Sequence, residues 1–203
     1  MFIQVIQGNV TDPSQVHAAL DRWSKDLAPG SIGWLGSTAG VTDDGRFVAL
    51  ARFESEDAAR QNSNRPEQDQ WWKETSQLFT GEVTFQDSNN VTVDVIGDPD
   101  QAGFVQIMQG QGSDPERASE LMAEDSDEWA AFRPDIIGSV GVLHDEGRYT
   151  MALYFTSEEE AREGERKELP PALQAQMEEM EKLSIGETDF FDFKQPWMYS
   201  PKT

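Results

Sequence analysis

Two joined α+β domains, each an antiparallel four-stranded sheet with both helices on one face, are predicted for this 203-residue chain. Three observations carry the prediction. The second half repeats the first at a fixed offset; each copy shows the element order β-α-β-β-α-β; and the hairpin strands are too apolar on both sides to leave one face in water.

The repeat is direct. Phe2, Gln4, Gln7, Gly8, Asp12 and Pro13 return 102 positions later as Phe104, Gln106, Gln109, Gly110, Asp114 and Pro115. Gly36, Ser37, Asp43, Gly45 and Arg46 return as Gly138, Ser139, Asp145, Gly147 and Arg148, and Phe53, Ser55, Glu56, Ala59 and Arg60 as Phe155, Ser157, Glu158, Ala161 and Arg162. The register breaks only in the second helix, where three extra residues move Gly81 and Phe85 onto Gly186 and Phe190. On this alignment Leu173 and Gln174 stand for Trp71 and Trp72, Ile136 for Trp34, Gly164 for Asn62 and Tyr154 for Arg52. Two copies are too few for a solenoid, so a pseudo-symmetric pair is expected. The expected domains are 1–87 and 103–195, with a linker at 88–102 and a tail at 196–203.

Each element has a local reason. Residues 2–7 are short, β-branched and aromatic, which reads as a strand. Asp12-Pro13 supplies an N-cap and a proline at the first helical position, with Gln15 able to close a capping box. Val16, Leu20, Trp23 and Leu27 then form one apolar stripe, and Ala28-Pro29-Gly30 stops the helix. Asp43-Asp44-Gly45 turns a hairpin between extended segments 32–41 and 46–53. Ser55 caps a second helix, interrupted near Pro66 and resumed through Trp71 to Phe79; residues 82–86 close the copy as a strand. This order is the split βαβ pattern of a ferredoxin-like domain. Val91, Val93 and Val95 alternate within the linker and predict a further extended segment there, and the tail is expected to be pinned by Trp197 and Tyr199.

On the hairpin strand, Phe47, Ala49, Ala51 and Phe53 point one way while Val48 and Leu50 point the other. Its counterpart is apolar on both sides too, with Tyr149, Met151, Leu153 and Phe155 opposite Ala152 and Tyr154. The helix-free face therefore needs cover, and the expected cover is the other copy's sheet, packed face to face.

The formal charge of −22, spread over both halves, repels phosphate backbones and makes nucleic acid or an anionic membrane a poor partner. With no cysteine, disulfides, thiolate nucleophiles and thiolate metal sites are excluded. The first residues lack the basic flank and apolar run of a signal peptide, and no segment is long and apolar enough to span a bilayer, so a soluble cytoplasmic protein is expected. Asn90-Val91-Thr92 matches a glycosylation sequon that this setting leaves unused.

The paired βαββαβ copies, the Asp-Gly hairpin followed by Arg46-Phe47, the Phe53-x-Ser55-Glu56 helix start and residues 65–72 (RPEQDQWW) resemble the dimeric α+β barrel superfamily. Within it, they resemble the antibiotic-biosynthesis-monooxygenase branch, as a fused tandem. The resemblance implies a cofactor-free oxygenase acting on a small aromatic or polyketide-like molecule, with no metal, haem or flavin. The haem-degrading branch places a histidine on the second helix as the iron ligand, with a tryptophan about ten residues earlier. His17 and His144 both lie elsewhere, and Trp72 and Asn62 occupy the corresponding places. The fused chain would be a monomeric pseudo-dimer or pair again as a homodimer.

Cofactor-free oxygenation needs a dry cavity, donors for a developing anion, and a path for one proton. Asn62, Trp72 and Arg65 are the candidate catalytic residues, with Trp34, Arg52, Trp71 and Gln7 as substrate contacts. Each has a rival reading. The Trp pair can be packing, Arg52 can bridge to carboxylates, and Gln4 and Gln7, retained in the other copy, can serve hydrogen bonds between the copies. His17 reads as a surface residue, Glu158-Glu159-Glu160 as a helix N-terminus matched to its dipole, and no Glu-x-x-His pair supports a metal site. The alternative to an enzyme is a non-catalytic ligand-binding or structural protein whose cavity is filled by side chains.

Overall fold

The computed structural model describes residues 1–124 and 126–201, so the last two residues of the expected tail lie outside the described residues. Two compact units emerge: Met1–Val91 with Phe191–Thr203, and Thr92–Phe190.

The first copy runs β1 (Phe2–Val10), α1 (Pro13–Arg22), β2 (Trp34–Val41), β3 (Arg46–Phe53), α2 (Glu56–Ser63), α3 (Pro66–Thr75) and β4 (Phe79–Ser88). Asp12 caps α1 by accepting the Ser14 backbone N–H at 3.0 Å, and Ser55 caps α2 by accepting that of Ala58 at 3.2 Å. The α1 stripe continues through a wider π turn, Trp23–Leu27, before Ala28–Gly30 ends it. Pro66 divides the expected second helix in two, because proline disfavours helical geometry in the residue before it; Arg65 is extended at ψ 131°. Ile32, expected in a strand, sits in the preceding turn and is 81% exposed.

The second copy follows with β5 (Val91–Val95), β6 (Phe104–Gly112), α4 (Pro115–Ala123), α5 (Ser126–Phe132), β7 (Ile136–Leu143), β8 (Arg148–Phe155), α6 (Glu158–Glu165), α7 (Pro171–Leu183), β9 (Ser184–Phe193) and β10 (Trp197–Tyr199). Helix α7 begins at Pro171 as α3 begins at Pro66, so the three extra residues precede the helix and do not fall inside it. Trp71 and Trp72 therefore correspond to Gln176 and Met177, not to Leu173 and Gln174.

The sheets have strand orders β10-β2-β3-β1-β4 and β5-β7-β8-β6-β9. Four strands of each follow the split βαβ order, and a fifth edge strand is added to each. β5 follows the first copy in sequence and lies beside β7; β10 follows the second copy and pairs with β2 through Trp197↔Ala39 and Tyr199↔Ser37. The two hairpin turns need glycine: Gly45 has φ +86° and a Cβ there would lie 2.7 Å from the Val10 carbonyl, while Gly147 has φ +73° and abuts the Gly112 carbonyl.

Strand alternation sorts the side chains. In the first unit Phe2, Trp34 and Phe53 cluster with Trp23 and Ala59 on the helix face, and Ala39, Phe47 and Ala49 cluster with Val16. The opposite, helix-free face carries Ile3, Val5, Thr38, Val48 and Leu50, each no more than 1% exposed. In the second unit Val105, Ile107, Val140, Val142, Ala152 and Tyr154 are similarly buried on the helix-free face. The helix-free face is thus buried in both units, while on the helix face of β8 Phe155 is buried and Tyr149, Met151 and Leu153 stay partly exposed.

Candidate functional site

The expected site residues separate into two faces of the first sheet. Trp34, Asn62, Arg65, Trp71 and Trp72 belong to the helix side. Arg52 and Gln7 lie on the other: Arg52 is next to the inward Phe53 and opposite Ile3 and Gly36, and Gln7 is opposite Val48. The Arg52 guanidinium occupies the space left by Gly36, where a Cβ would lie 2.7 Å from Nη2. The structure does not bring Arg52 and Gln7 together with the others.

On the helix side, most candidate donors have protein acceptors. Arg65 Nη1 donates to the Leu27 carbonyl and to Asn62 Oδ1, both at 3.0 Å, and the guanidinium also meets Glu67 at 3.0 Å. The Glu67 backbone N–H and Arg65 together hold the Glu67 carboxyl below its usual range. Asn62 is 6% exposed, so its carbonyl depends on Arg65. The Trp34 indole donates to Ser37 Oγ at 3.0 Å and meets Trp23 edge-on at 5.1 Å; the Trp71 indole donates to the Ala19 carbonyl at 3.0 Å.

The second unit solves the same joint with other residues. Gly30 makes room for Arg65 in the first, where a Cβ would lie 2.7 Å from Nη2; in the second, Gly164, at the place of Asn62, makes room for Arg133. Arg133 approaches from the opposite side, pairing with Asp135 at 2.7 Å and donating to the Ala161 carbonyl. Likewise Gln176, equivalent to Trp71, donates to the carbonyl of Leu121, which is equivalent to Ala19. Asn62, Arg65 and Trp71 thus belong to a helix-to-helix joint that both copies build.

Trp72 differs. Its ring meets Trp71 at 6.0 Å, Phe79 at 6.2 Å and, edge-on, Phe85 at 5.3 Å, and its indole N–H meets no acceptor among the described residues. Beneath it lies an open floor. β1 has strands on both sides, and its other face is sealed, with Ile3 and Val5 fully buried. On the helix face, however, Gln4 and Ile6 of β1 and Ala51 of β3 all remain partly exposed. Solvent therefore reaches the middle of the sheet between the helices and β4. The pairings Ile6↔Phe85 and Gln4↔Asp87 set Phe85, 46% exposed, and the exposed Asp87 along the same margin. Gln4 Nε2 donates to Asp87 Oδ2 at 3.5 Å. Sequence reasoning missed Ile6, Ala51, Phe85 and Asp87 as site residues; the return of Phe85 as Phe190 and Asp87 as Asp192 three places out of register was the available signal.

The histidines lie elsewhere. His17 stacks on Trp197 at 4.4 Å with Nε2 3.6 Å from Asp21, which also accepts the Tyr199 hydroxyl at 2.9 Å. His144 Nε2 lies 3.0 Å from Thr150 Oγ1 in the second unit, and burial lowers its pKa. No set of three His, Cys, Asp or Glu side chains converges for a metal among the described residues, and no helix among them is long and apolar enough to cross a membrane.

No protein-family model matches the sequence, and no curated protein matches it. Among solved structures, the chain is similar over its full length to a provisionally named monooxygenase from Lactobacillus acidophilus NCFM, at 13% identity and TM-score 0.75, covering 98% of this chain and 95% of that one. A second provisionally named monooxygenase, from Fusobacterium nucleatum subsp. nucleatum, is 9% identical at TM-score 0.76, covering 98% and 94%. An anthrone oxidase-like protein is 9% identical at TM-score 0.68, covering 100% and 94%. At such identities the likeness is one of fold. The chain shares the fold of these proteins, with two βαββαβ copies in one polypeptide.

Proposed function

We propose that the first unit binds a small planar aromatic molecule of polyketide type in the helix-face cleft and oxidises it with dioxygen, using no bound cofactor. One observation carries this reading: an open sheet floor beneath an aromatic wall whose outermost indole, Trp72, keeps a free N–H. That group supplies a donor where an anion would develop, beside the apolar surface of Ile6, Ala51 and Phe85. The chemistry is self-contained. The substrate methylene loses a proton, the resulting anion reduces dioxygen to a carbon-bound hydroperoxide, and loss of water leaves a carbonyl. One oxygen atom ends on carbon and the other in water.

A second reading is favoured by the engaged donors of Trp34, Asn62, Arg65 and Trp71, which favour binding without turnover. Oxygen uptake by metal-free protein, with a hydroxylated anthrone and related acidic phenols, separates the two. The first reading expects uptake that falls about tenfold or more in Trp72→Phe at unchanged melting temperature. A thermal shift with no uptake favours the second. Neither response to any of these compounds overturns both.

A further inference from the structure

Oxidation by this route begins with a proton leaving the substrate, and Trp72 cannot take it. Resting on that reading of the cleft, we infer that Asp87 is the proton acceptor of the site.

The placement follows from strand register. Asp87 pairs with Gln4 and Phe85 with Ile6, so both side chains stand on the helix face, two residues apart, about 7 Å along β4. Phe85 touches the Trp72 ring, so the carboxylate lies one side-chain length beyond the aromatic wall. A planar ligand on the Gln4–Ile6–Ala51 floor spans the two, with its carbonyl toward the Trp72 indole and its acidic hydrogen toward Asp87.

The carboxylates of α1 and α3 are committed. Asp69 pairs with Lys73 at 2.6 Å, Glu74 accepts from Gln70 at 2.7 Å, Glu67 is held by Arg65, and Asp21 accepts from Tyr199. Strand β1 carries no charged residue. Asp87 has a single long contact, from the Gln4 amide to Oδ2, which orients one oxygen and leaves Oδ1 for a ligand. In the step, the substrate's C–H or O–H bond breaks, the proton forms an O–H bond on Asp87, and the electron pair stays on the substrate. A carboxylate does this most efficiently when the substrate's own acidity is raised by a conjugated carbonyl.

Two measurements test it. With a hydroxylated anthrone, Asp87→Asn lowers kcat about 100-fold while KM changes little. Without dioxygen and in deuterium oxide, the unaltered protein speeds exchange of the anthrone's methylene hydrogens, whereas Asp87→Asn slows that exchange about 100-fold. Exchange reads proton transfer without turnover, so it distinguishes this inference from the oxygenase reading. Oxygen uptake with Asp87→Asn unimpaired removes Asp87 and leaves the cleft; equal exchange in Asp87→Asn does the same. Failure of the anthrone to bind overturns the inference together with the cleft.

Discussion

Replacing Arg65 by alanine separates the joint from the chemistry. The change removes donors to the Leu27 carbonyl and to Asn62 Oδ1, from a side chain only 18% exposed. Hydrogen bonds involving a charged group contribute about 1.5–3 kcal/mol, and a buried carbonyl left without a donor costs about 1–3 kcal/mol. These overlap, and the exposed Glu67 adds little, so a loss of about 2–4 kcal/mol is expected. In a chain of this size that lowers the melting temperature by roughly 5–15 °C. The counterpart, Arg133→Ala, strands Asp135, 7% exposed on its side chain, and costs about 3–5 kcal/mol. The double change Arg133→Ala with Asp135→Ala recovers part of that, because no buried charge is then unpaired. Calorimetry reads the stabilities; titration with a hydroxylated anthrone reads the cleft. Arg65→Ala that keeps its melting temperature yet loses ligand binding would refute the assignment of Arg65 to the joint and return it to the site.

Trp71→Phe keeps the ring and loses the donor to the Ala19 carbonyl; about 1 kcal/mol of stability goes, seen as a melting shift of roughly 2–4 °C, while ligand affinity stays within twofold. His144 gives the pH dependence. Burial chiefly, and Arg148 secondarily, depress its folded pKa below 6.5, with Asp145 opposing. As pH falls below 6.5 the unfolded chain binds a proton that the folded chain does not, so stability declines until the lowered folded pKa is passed. Denaturant titrations between pH 8 and 5 check this (roughly the window of an imidazole), and His144→Gln flattens that limb.

The fold was legible because its signals are local. Asp12-Pro13, Ser55 and Ser157 sit at helix starts, the Asp-Gly turns at hairpins, and the two-faced apolar pattern of residues 46–53 announced burial on both sides. Pro66 was readable as a break, but where the extra residues of the second copy fall was not. The proline starts of α3 and α7 had to be seen in space to pair Trp71 with Gln176. The joint was illegible for a related reason: Arg65 and Leu27 are 38 positions apart, and no spacing rule joins an arginine to a bare carbonyl. Arg52 is a different case. Alternation with Phe53 already put it on the helix-free face, while its charge among apolar neighbours suggested a substrate contact. Asp87 was hidden because its role depends on β4–β1 register, which shifts by a bulge between Gln7 and Asn9.

Drift between the copies sharpens what the cleft requires. At the joint, change has been compensated: arginine enters from the other side, a glycine opens where an asparagine stood, and a glutamine replaces an indole as donor to the same carbonyl. In the cleft, Gln4, Phe85 and Asp87 return as Gln106, Phe190 and Asp192, whereas Trp72 becomes Met177, which offers no proton to an anion. A carboxylate without a matching donor can accept a proton but cannot hold the charge it creates. Trp72→Met, which places the second copy's residue in the first, is therefore the informative change. If oxidation depends on pairing an acceptor with a donor across one aromatic floor, Trp72→Met should abolish turnover even where Asp87 is intact.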